Sequence, residues 1–392
     1  MDAFLLDYQA DQVNRAPKEF HRYMYNQLPW ESRMVGLVGP RGVGKSTLLF
    51  QHFAENRDKE YGLYVSADTM YFASHLLIDI ADEFVKDGGQ HLYIDEVHKY
   101  KNWSRELKQI YDTHPKLKVT FTGSSILDIL EGEADLSRRA IVFSMQGLSF
   151  REYLAIFHHI QVPIYGLQDI LTKGTTIRIP GAEHPLPLFR HYLQVGYYPF
   201  AQEDNIPIRV EQIVKRTIES DIAQYADLKA STARKLIHLV SVLAQLVPVK
   251  PNADSLSQEV GVSKNNINEY LVYLERAGLI GLLRDSTSGL RSLGKIEKIY
   301  LDNPSLMTIL ANGHPEAGNL RETFFYNQTR VTEKVVASKV SDFEIGKYTF
   351  EVGGKKKGKK QIEDIPNSYI VKDDIENAGM RYIPLWMFGL LY

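Results

Sequence analysis

Gly39-Pro40-Arg41-Gly42-Val43-Gly44-Lys45-Ser46 sets four fixed residue types at the spacing GxxxxGK[ST]. The chemistry of that spacing is phosphate binding. Glycines without a Cβ let the backbone wrap an anion with its N–H groups turned inward. A helix opening at Lys45 adds unpaired N–H donors and the positive end of its dipole. In such a loop Lys45 reaches the β- and γ-phosphates of ATP, the Ser46 hydroxyl ligates Mg²⁺, and Thr47 continues the nucleotide-binding stretch. A chance glycine-rich turn is the bland alternative. At average residue usage the four fixed positions arise by accident in roughly one chain in a hundred of this length.

A phosphate loop needs an acidic partner for the metal. His91-Leu92-Tyr93-Ile94-Asp95-Glu96 supplies one at the end of an apolar run. Asp95 is placed to hold Mg²⁺ through water, and Glu96 to act as general base on the attacking water. Two solvated acids at a strand end are the alternative. Leu117-Lys118-Val119-Thr120-Phe121-Thr122 is a further strand, ending in Gly123-Ser124-Ser125. Thr122 or Ser124 at its tip is a candidate for sensing the terminal phosphate or orienting water. A Gly-Ser turn capping a helix over residues 126–130 explains the same letters. Arg138 and Arg139 precede a final strand, and Arg139 is the candidate arginine finger, worth about 10³–10⁵ in rate where one operates. A solvated or DNA-facing pair is the other reading. His98 reads as a surface group or a supporting neighbour of the acids, and Trp103 as a packing anchor.

The elements around these residues follow from the pattern. Met34-Val35-Gly36-Leu37-Val38 is a short apolar run, read as a buried strand, and residues 46–53 read as the helix after the loop. Strands near residues 34, 62, 91, 117 and 140 alternate with helices, which predicts an α/β fold with a parallel sheet. The strand ending at Thr122 is expected between the phosphate-loop strand and the Asp95 strand, the additional-strand arrangement of ATP hydrolases. With 392 residues the chain has room for two or three domains, and its net charge of −2 sets up no global basic field for nucleic acid. There are no cysteines, so disulfides, cysteine zinc sites and thiol nucleophiles are excluded, and a reducing cytoplasm fits. The first residues lack the basic and apolar segments of a signal peptide, and no apolar run reaches membrane-spanning length. Residues 382–392 read as a buried terminal strand.

Beyond residue 159 the signals are structural first. Residues 160–185 are rich in Pro and Gly and read as a connection, and residues 188–230 as helical. Leu256 to Val260 form a short helix, Gly261-Val262 a turn, and Ser263 caps a second helix whose Ile267, Tyr270, Leu271 and Leu274 share one face. Lys264, Asn265, Asn266 and Asn268 face outward, and a hairpin begins near Gly278. This is a winged helix-turn-helix pattern, either a double-stranded DNA reader through Lys264, Asn265 and Asn266 or a packing module. Near the end, Asp342 and Glu351 match the acids of the metal-nuclease pattern PD-(D/E)xK, but Gly353 stands where that pattern has Lys. Lys355, Lys356, Lys357, Lys359 and Lys360 put five lysines in six residues, either a phosphate contact or a solvated loop. The expected divisions are 1–159 for the ATPase domain, 160–231 for a loop-rich and helical linker, 232–312 for the winged helix, and 313–392 for a degenerate nuclease-like domain.

Taken together, the chain resembles a bacterial and archaeal family of P-loop ATPases related to AAA+ and STAND proteins, whose members carry a C-terminal domain of unknown function. The resemblance rests on residues 39–46, on Tyr93-Ile94-Asp95-Glu96-Val97-His98 and on Thr122-Gly123-Ser124-Ser125. It continues through Leu148-Ser149-Phe150-Arg151-Glu152-Tyr153, Tyr192-Leu193-Gln194-Val195-Gly196-Tyr197-Tyr198-Pro199 and Glu219-Ser220-Asp221-Ile222. It implies ATP binding and hydrolysis, and a C-terminal domain with a degenerate restriction-endonuclease-like fold. Where the family has Gly before the arginine that Arg139 matches, this chain has Arg138. The leading expectation is a Mg²⁺-dependent ATPase that drives or gates its C-terminal domains, on DNA or as a homo-oligomer. An ATP-gated DNA-binding regulator or scaffold with incidental turnover, and an ATP-regulated nuclease, are the alternatives.

Overall fold

Met34–Val38 (β1), Gly62–Ser66 (β2), His91–Asp95 (β3), Lys118–Gly123 (β4) and Ile141–Ser144 (β5) are the strands that the apolar runs predict. In this computed structural model, residues 2–14, 17–55, 61–123, 136, 138–286, 295–358 and 360–392 are described. The five strands pair in parallel in the order β2-β3-β4-β1-β5, so β4 lies between β1 and β3 as expected. A parallel sheet covered on both faces buries nearly every strand residue, which is why β1 and β3 are buried throughout. The expected helix over residues 126–130 lies outside the described residues.

Each face of the sheet has its own chemistry. On one face Leu63, Val65, Leu92, Ile94, Val119 and Phe121 form an aliphatic and aromatic core. Helix Trp103–Thr113 presents Trp103, Leu107 and Ile110 to that core, and Trp103 is the packing anchor its position suggests. Glu106 lies on the same buried face. Its carboxylate accepts the Ile78 N–H at 3.0 Å and the Tyr100 hydroxyl at 2.6 Å, and so satisfies a donor in the first turn of helix Leu77–Lys86. On the other face, under helix Lys45–Glu55, histidines and aromatics interlock. Trp30 stacks on His52 at 3.8 Å, His52 hydrogen-bonds the Tyr93 hydroxyl at 2.6 Å, and His91 stacks on Tyr93 at 4.0 Å.

By compactness the chain divides into Met1–Gln146 with Ser220–Asp227, and Gly147–Glu219 with Leu228–Tyr392. The second unit starts with helix Phe150–His158, whose N-terminus carries a reciprocal cap between Ser149 and Glu152. Helices Leu186–Val195 and Ile206–Arg216 fall in the stretch expected to be helical. Helices Ala230–Leu246, Ala253–Val260 and Lys264–Arg276 precede the antiparallel pair Ile280–Arg284 (β6) and Ile296–Leu301 (β7). Helix Ala317–Thr329 lies before a second sheet of Val335–Ala337 (β8), Phe343–Ile345 (β9), Tyr348–Gly353 (β10), Ser368–Lys372 (β11) and Tyr382–Pro384 (β12), in the order β12-β11-β10-β9-β8. Phe325 meets Phe350 at 5.4 Å and Phe388 at 4.7 Å, which fastens that helix to the sheet. One expectation needs correction here. The end of the chain is strand for three residues only, and Leu385–Leu390 is a buried 3₁₀ turn. Pro384 has no N–H to continue a ladder, and burial of an all-apolar run is satisfied equally by a turn.

Candidate nucleotide-binding site

The site is assembled at the C-terminal edge of the first sheet, where ligands of open α/β sheets bind. The loop of residues 39–46 leaves β1 at this edge and runs into the helix that opens at Lys45. Gly42 and Gly44 take φ of 78° and 97°, a region that a Cβ disfavours, so the loop geometry requires glycine there. The Lys45 ammonium is buried and folds back on its own loop, donating to the Gly39 carbonyl at 2.9 Å and the Pro40 carbonyl at 2.8 Å. Burial pulls its pKa down to about 8, against the pull of Glu96 and Asp95 in the other direction. Arg22 braces the loop from below, donating to the Val43 carbonyl and, at 2.7 Å, to the Gln146 carbonyl.

Asp95 ends β3 and is buried. Because Ile94 is in register with Phe121, the next residues, Asp95 and Thr122, come side by side. The Thr122 hydroxyl donates to one Asp95 oxygen, the Tyr64 hydroxyl donates to the other at 2.8 Å, and the Ser46 hydroxyl lies close enough to act on this carboxylate. Burial and the neighbouring Glu96 raise the Asp95 pKa, and these three hydroxyls work against that rise. Burial of Tyr64 beside Asp95 pushes its phenol far up, so it stays a donor. The structure therefore brings together Lys45, Ser46, Asp95 and Thr122. Loop amides, a buried ammonium and a hydroxyl–carboxylate pair are the donor set that a nucleotide with a divalent cation requires.

Glu96 follows with φ 51°, a left-handed conformation uncommon for a residue with a long side chain. Its N–H donates to the Thr122 Oγ1 at 3.1 Å, which holds it there. Its carboxylate lies 3.4 Å from His98 Nε2. His98 is buried, so it is a supporting neighbour and not a surface group. Arg41, in the loop itself, forks onto Asp221 with both contacts at 2.7 Å, and Lys99 reaches the same carboxylate at 3.2 Å. Burial would raise the Asp221 pKa, but its bonds and charges from Arg41, Lys99 and His98 hold it below the usual carboxylate range.

Arg139 is not brought to this edge. It is held by Asp112, in the last turn of helix Trp103–Thr113, at 2.9 and 3.0 Å, and Arg138 is exposed. Ser124 lies outside the described residues. Tyr64, Arg22 and Asp221 escaped the reading of the site from spacing. Asp221 alone left a trace, in the Glu219-Ser220-Asp221-Ile222 stretch of the family resemblance.

The family described as "AAA domain" matches residues 31–154, and a "Domain of unknown function (DUF8612)" matches residues 186–317. No curated protein matches the chain. Among solved structures, the chain is similar to the Walker-type ATPase PABY2304 of Pyrococcus abyssi, with 11% identity over 76% of this chain and 99% of that one at a TM-score of 0.45. It is similar to C. elegans PCH-2, with 18% identity over 68% of each chain at 0.26. It is also similar to AMPPCP-bound DnaA from Aquifex aeolicus, with 14% identity over 69% of this chain and 87% of that one at 0.26. The motif residues, the strand order and the domain match agree: residues 31–154 are a P-loop ATPase domain of the AAA+ type, and the chain that carries them is an ATPase.

Proposed function

We propose that the chain hydrolyses ATP with Lys45, Ser46, Asp95 and Glu96 in the roles their types and positions suit. The observation that carries this is the adjacency of the Ser46 hydroxyl and the Asp95 carboxylate beside a glycine-built phosphate loop. Lys45 donates to the β- and γ-phosphate oxygens, and the loop amides of residues 39–46 hold the phosphates, with Thr47 beyond them. Ser46, and Asp95 through water, would hold Mg²⁺, which would supply charge neutralisation for the phosphates. Thr122 keeps the Asp95 carboxylate and the Glu96 backbone in place. Glu96 takes a proton from the attacking water. Replacing Lys45 with Ala removes a charged hydrogen-bond donor worth about 1.5–3 kcal/mol, or about 10- to 100-fold in ATP affinity. Isothermal titration checks this, and wild-type affinity in the variant would sink the assignment.

In the same proposal nucleotide state gates residues 228–392. Helices Ala253–Val260 and Lys264–Arg276 with the β6–β7 pair have the order of a winged helix. Lys264 and Asn265 are exposed at its start and Asn266 is half-buried, which favours duplex DNA as a partner. Lys264 is shared with Asp254 at 2.8 Å, which weakens that field. The acids that match the nuclease pattern are committed to other side chains and do not support DNA cleavage. Glu351 is taken by Lys357 and Ser341, and Asp342 and Glu322 by Lys298 at 3.3 and 2.9 Å. Among the described residues no group of three His, Cys, Asp or Glu side chains is set to hold a metal. Arg139 acts, if a finger operates, on the site of a second copy, since its own chain holds it at Asp112. Turnover measured against protein concentration, with and without duplex DNA, tests both partners. Among the described residues no helix is long and apolar enough to cross a membrane, and a cytoplasmic setting belongs to the proposal through the absence of cysteine.

A further inference from the structure

Residues 220–227 lie 74 positions beyond Gln146, yet they belong to the same compact unit as the phosphate loop. Polar contacts of Asp221 and Ser220 help hold them there. The Asp221 carboxylate is 1% exposed and meets three basic side chains: Arg41 through a two-pronged contact at 2.7 Å, Lys99 at 3.2 Å, and His98 at 4.0 Å. The Ser220 hydroxyl accepts a second bond from Lys99 at 3.0 Å. The anchor is therefore built from the phosphate loop and from the segment just after Asp95-Glu96, the two pieces that a terminal phosphate must approach.

We propose that Asp221 is an internal counter-anion for the phosphate site, displaced from Arg41 and Lys99 by the terminal phosphate of a nucleoside triphosphate, so that triphosphate binding releases residues 220–227. The inference rests on the ATPase reading above and adds its readout. Three features carry it. First, the fork of Arg41 fits a phosphate as well as a carboxylate, so one anion exchanges for another without loss of bidentate geometry. Second, Lys45, Arg41 and Lys99 face Asp95, Glu96 and Asp221, an even balance of three cations and three acids. A triphosphate with its metal adds net negative charge in a buried setting, where like charges repel strongly. Third, a buried carboxylate stripped of its partners is not tolerated. When phosphate takes Arg41 and Lys99, Asp221 must move out to water and carry its segment with it. Asp221 sits in the π-helical turn Thr217–Ile222, a rare geometry frequent at functional sites. The chain enters this segment from Glu219 and leaves it at Leu228, both in the second unit, so its release is transmitted through the backbone.

Amide hydrogen exchange of the full chain tests this, read on peptides covering residues 220–227. Without nucleotide the segment is protected. A non-hydrolysable ATP analogue with Mg²⁺ speeds its exchange, and ADP does so less. In Asp221→Asn the segment exchanges fast without nucleotide, and the analogue binds about tenfold tighter because the competing anion is gone, a coupling of ordinary size. The wild-type exchange measurement stands even if the variant folds poorly. Analogue binding with unchanged exchange of residues 220–227 overturns the latch and leaves the ATPase reading intact. Failure of the wild-type chain to bind the analogue overturns both. An Asp221→Asn chain that folds and binds the analogue no tighter also overturns the latch.

Discussion

At the scale of single residues, the site is a set of buried polar groups whose charges are set by their neighbours. His98 shows this most directly. Burial pulls its pKa down to about 3, with Lys99, Arg41 and Lys45 adding to the pull and Asp221 opposing it, while Glu96 lies beside its Nε2. An unfolded chain has that imidazole near about 6.5. Between these values the unfolded state binds a proton that the folded state does not. The contribution is therefore harmless above about pH 6.5 and increasingly destabilising as pH falls toward about 3. The depressed Asp221 carboxylate works in the same direction at the acid end of that window. His98→Gln is expected to flatten the dependence of melting temperature on pH between about 6.5 and 4 relative to wild type. Parallel curves for the two proteins would contradict the buried, neutral histidine. Lys45, Ser46, Asp95 and Glu96 were legible in the sequence because a phosphate loop and an acidic strand end are local spellings. Tyr64 and Arg22 were not. The Tyr64 hydroxyl reaches Asp95 only because Ser66 and Asp95 are in register on adjacent strands. Arg22 serves carbonyls 21 and 124 positions away, and no local pattern encodes such a bond.

Among the elements, strands that are apolar throughout announce themselves. β1, β2, β3 and β5 coincide with largely apolar runs, whereas β4 alternates Val119 and Phe121 with polar residues, and its place beside β3 sets Thr122 next to Asp95. The helix over Lys264–Arg276 was equally legible, because Ile267, Tyr270, Leu271 and Leu274 repeat at helical spacing and Ser263 caps the first turn. The last residues were harder. Periodicity distinguishes a strand from a helix, but a short unbroken apolar run has no period, and Leu385–Leu390 folds as a 3₁₀ turn within it. The pair Asp342 and Glu351 shows the opposite problem. Their spacing is that of a metal site, yet lysines from elsewhere in the chain occupy both, Lys298 from β7 and Lys357 from beyond β10. Sequence spacing places acids together and does not say what fills the space between them.

For the molecule as a whole, the least legible fact is that the ATPase unit is not one stretch of chain. Residues 220–227 return to it after an excursion through the second unit, and composition carries no mark of such a return. The global charge of −2 means that any DNA contact is local and salt-sensitive. Duplex DNA is expected to raise turnover at low salt, with the effect fading as salt rises, and specific activity is expected to climb with protein concentration if Arg139 serves a second copy. Turnover indifferent to both would leave the chain a self-contained ATPase and remove these partners. The central claim stands apart from them and rests on Glu96 as the base beside a complete binding site. It is tested most directly by measuring ATP binding and single-turnover hydrolysis in Glu96→Gln, which keeps shape and hydrogen bonding but not basicity. The account predicts wild-type ATP affinity with hydrolysis slower by about 10²–10⁴-fold. Hydrolysis at the wild-type rate in a variant that binds ATP normally would contradict it.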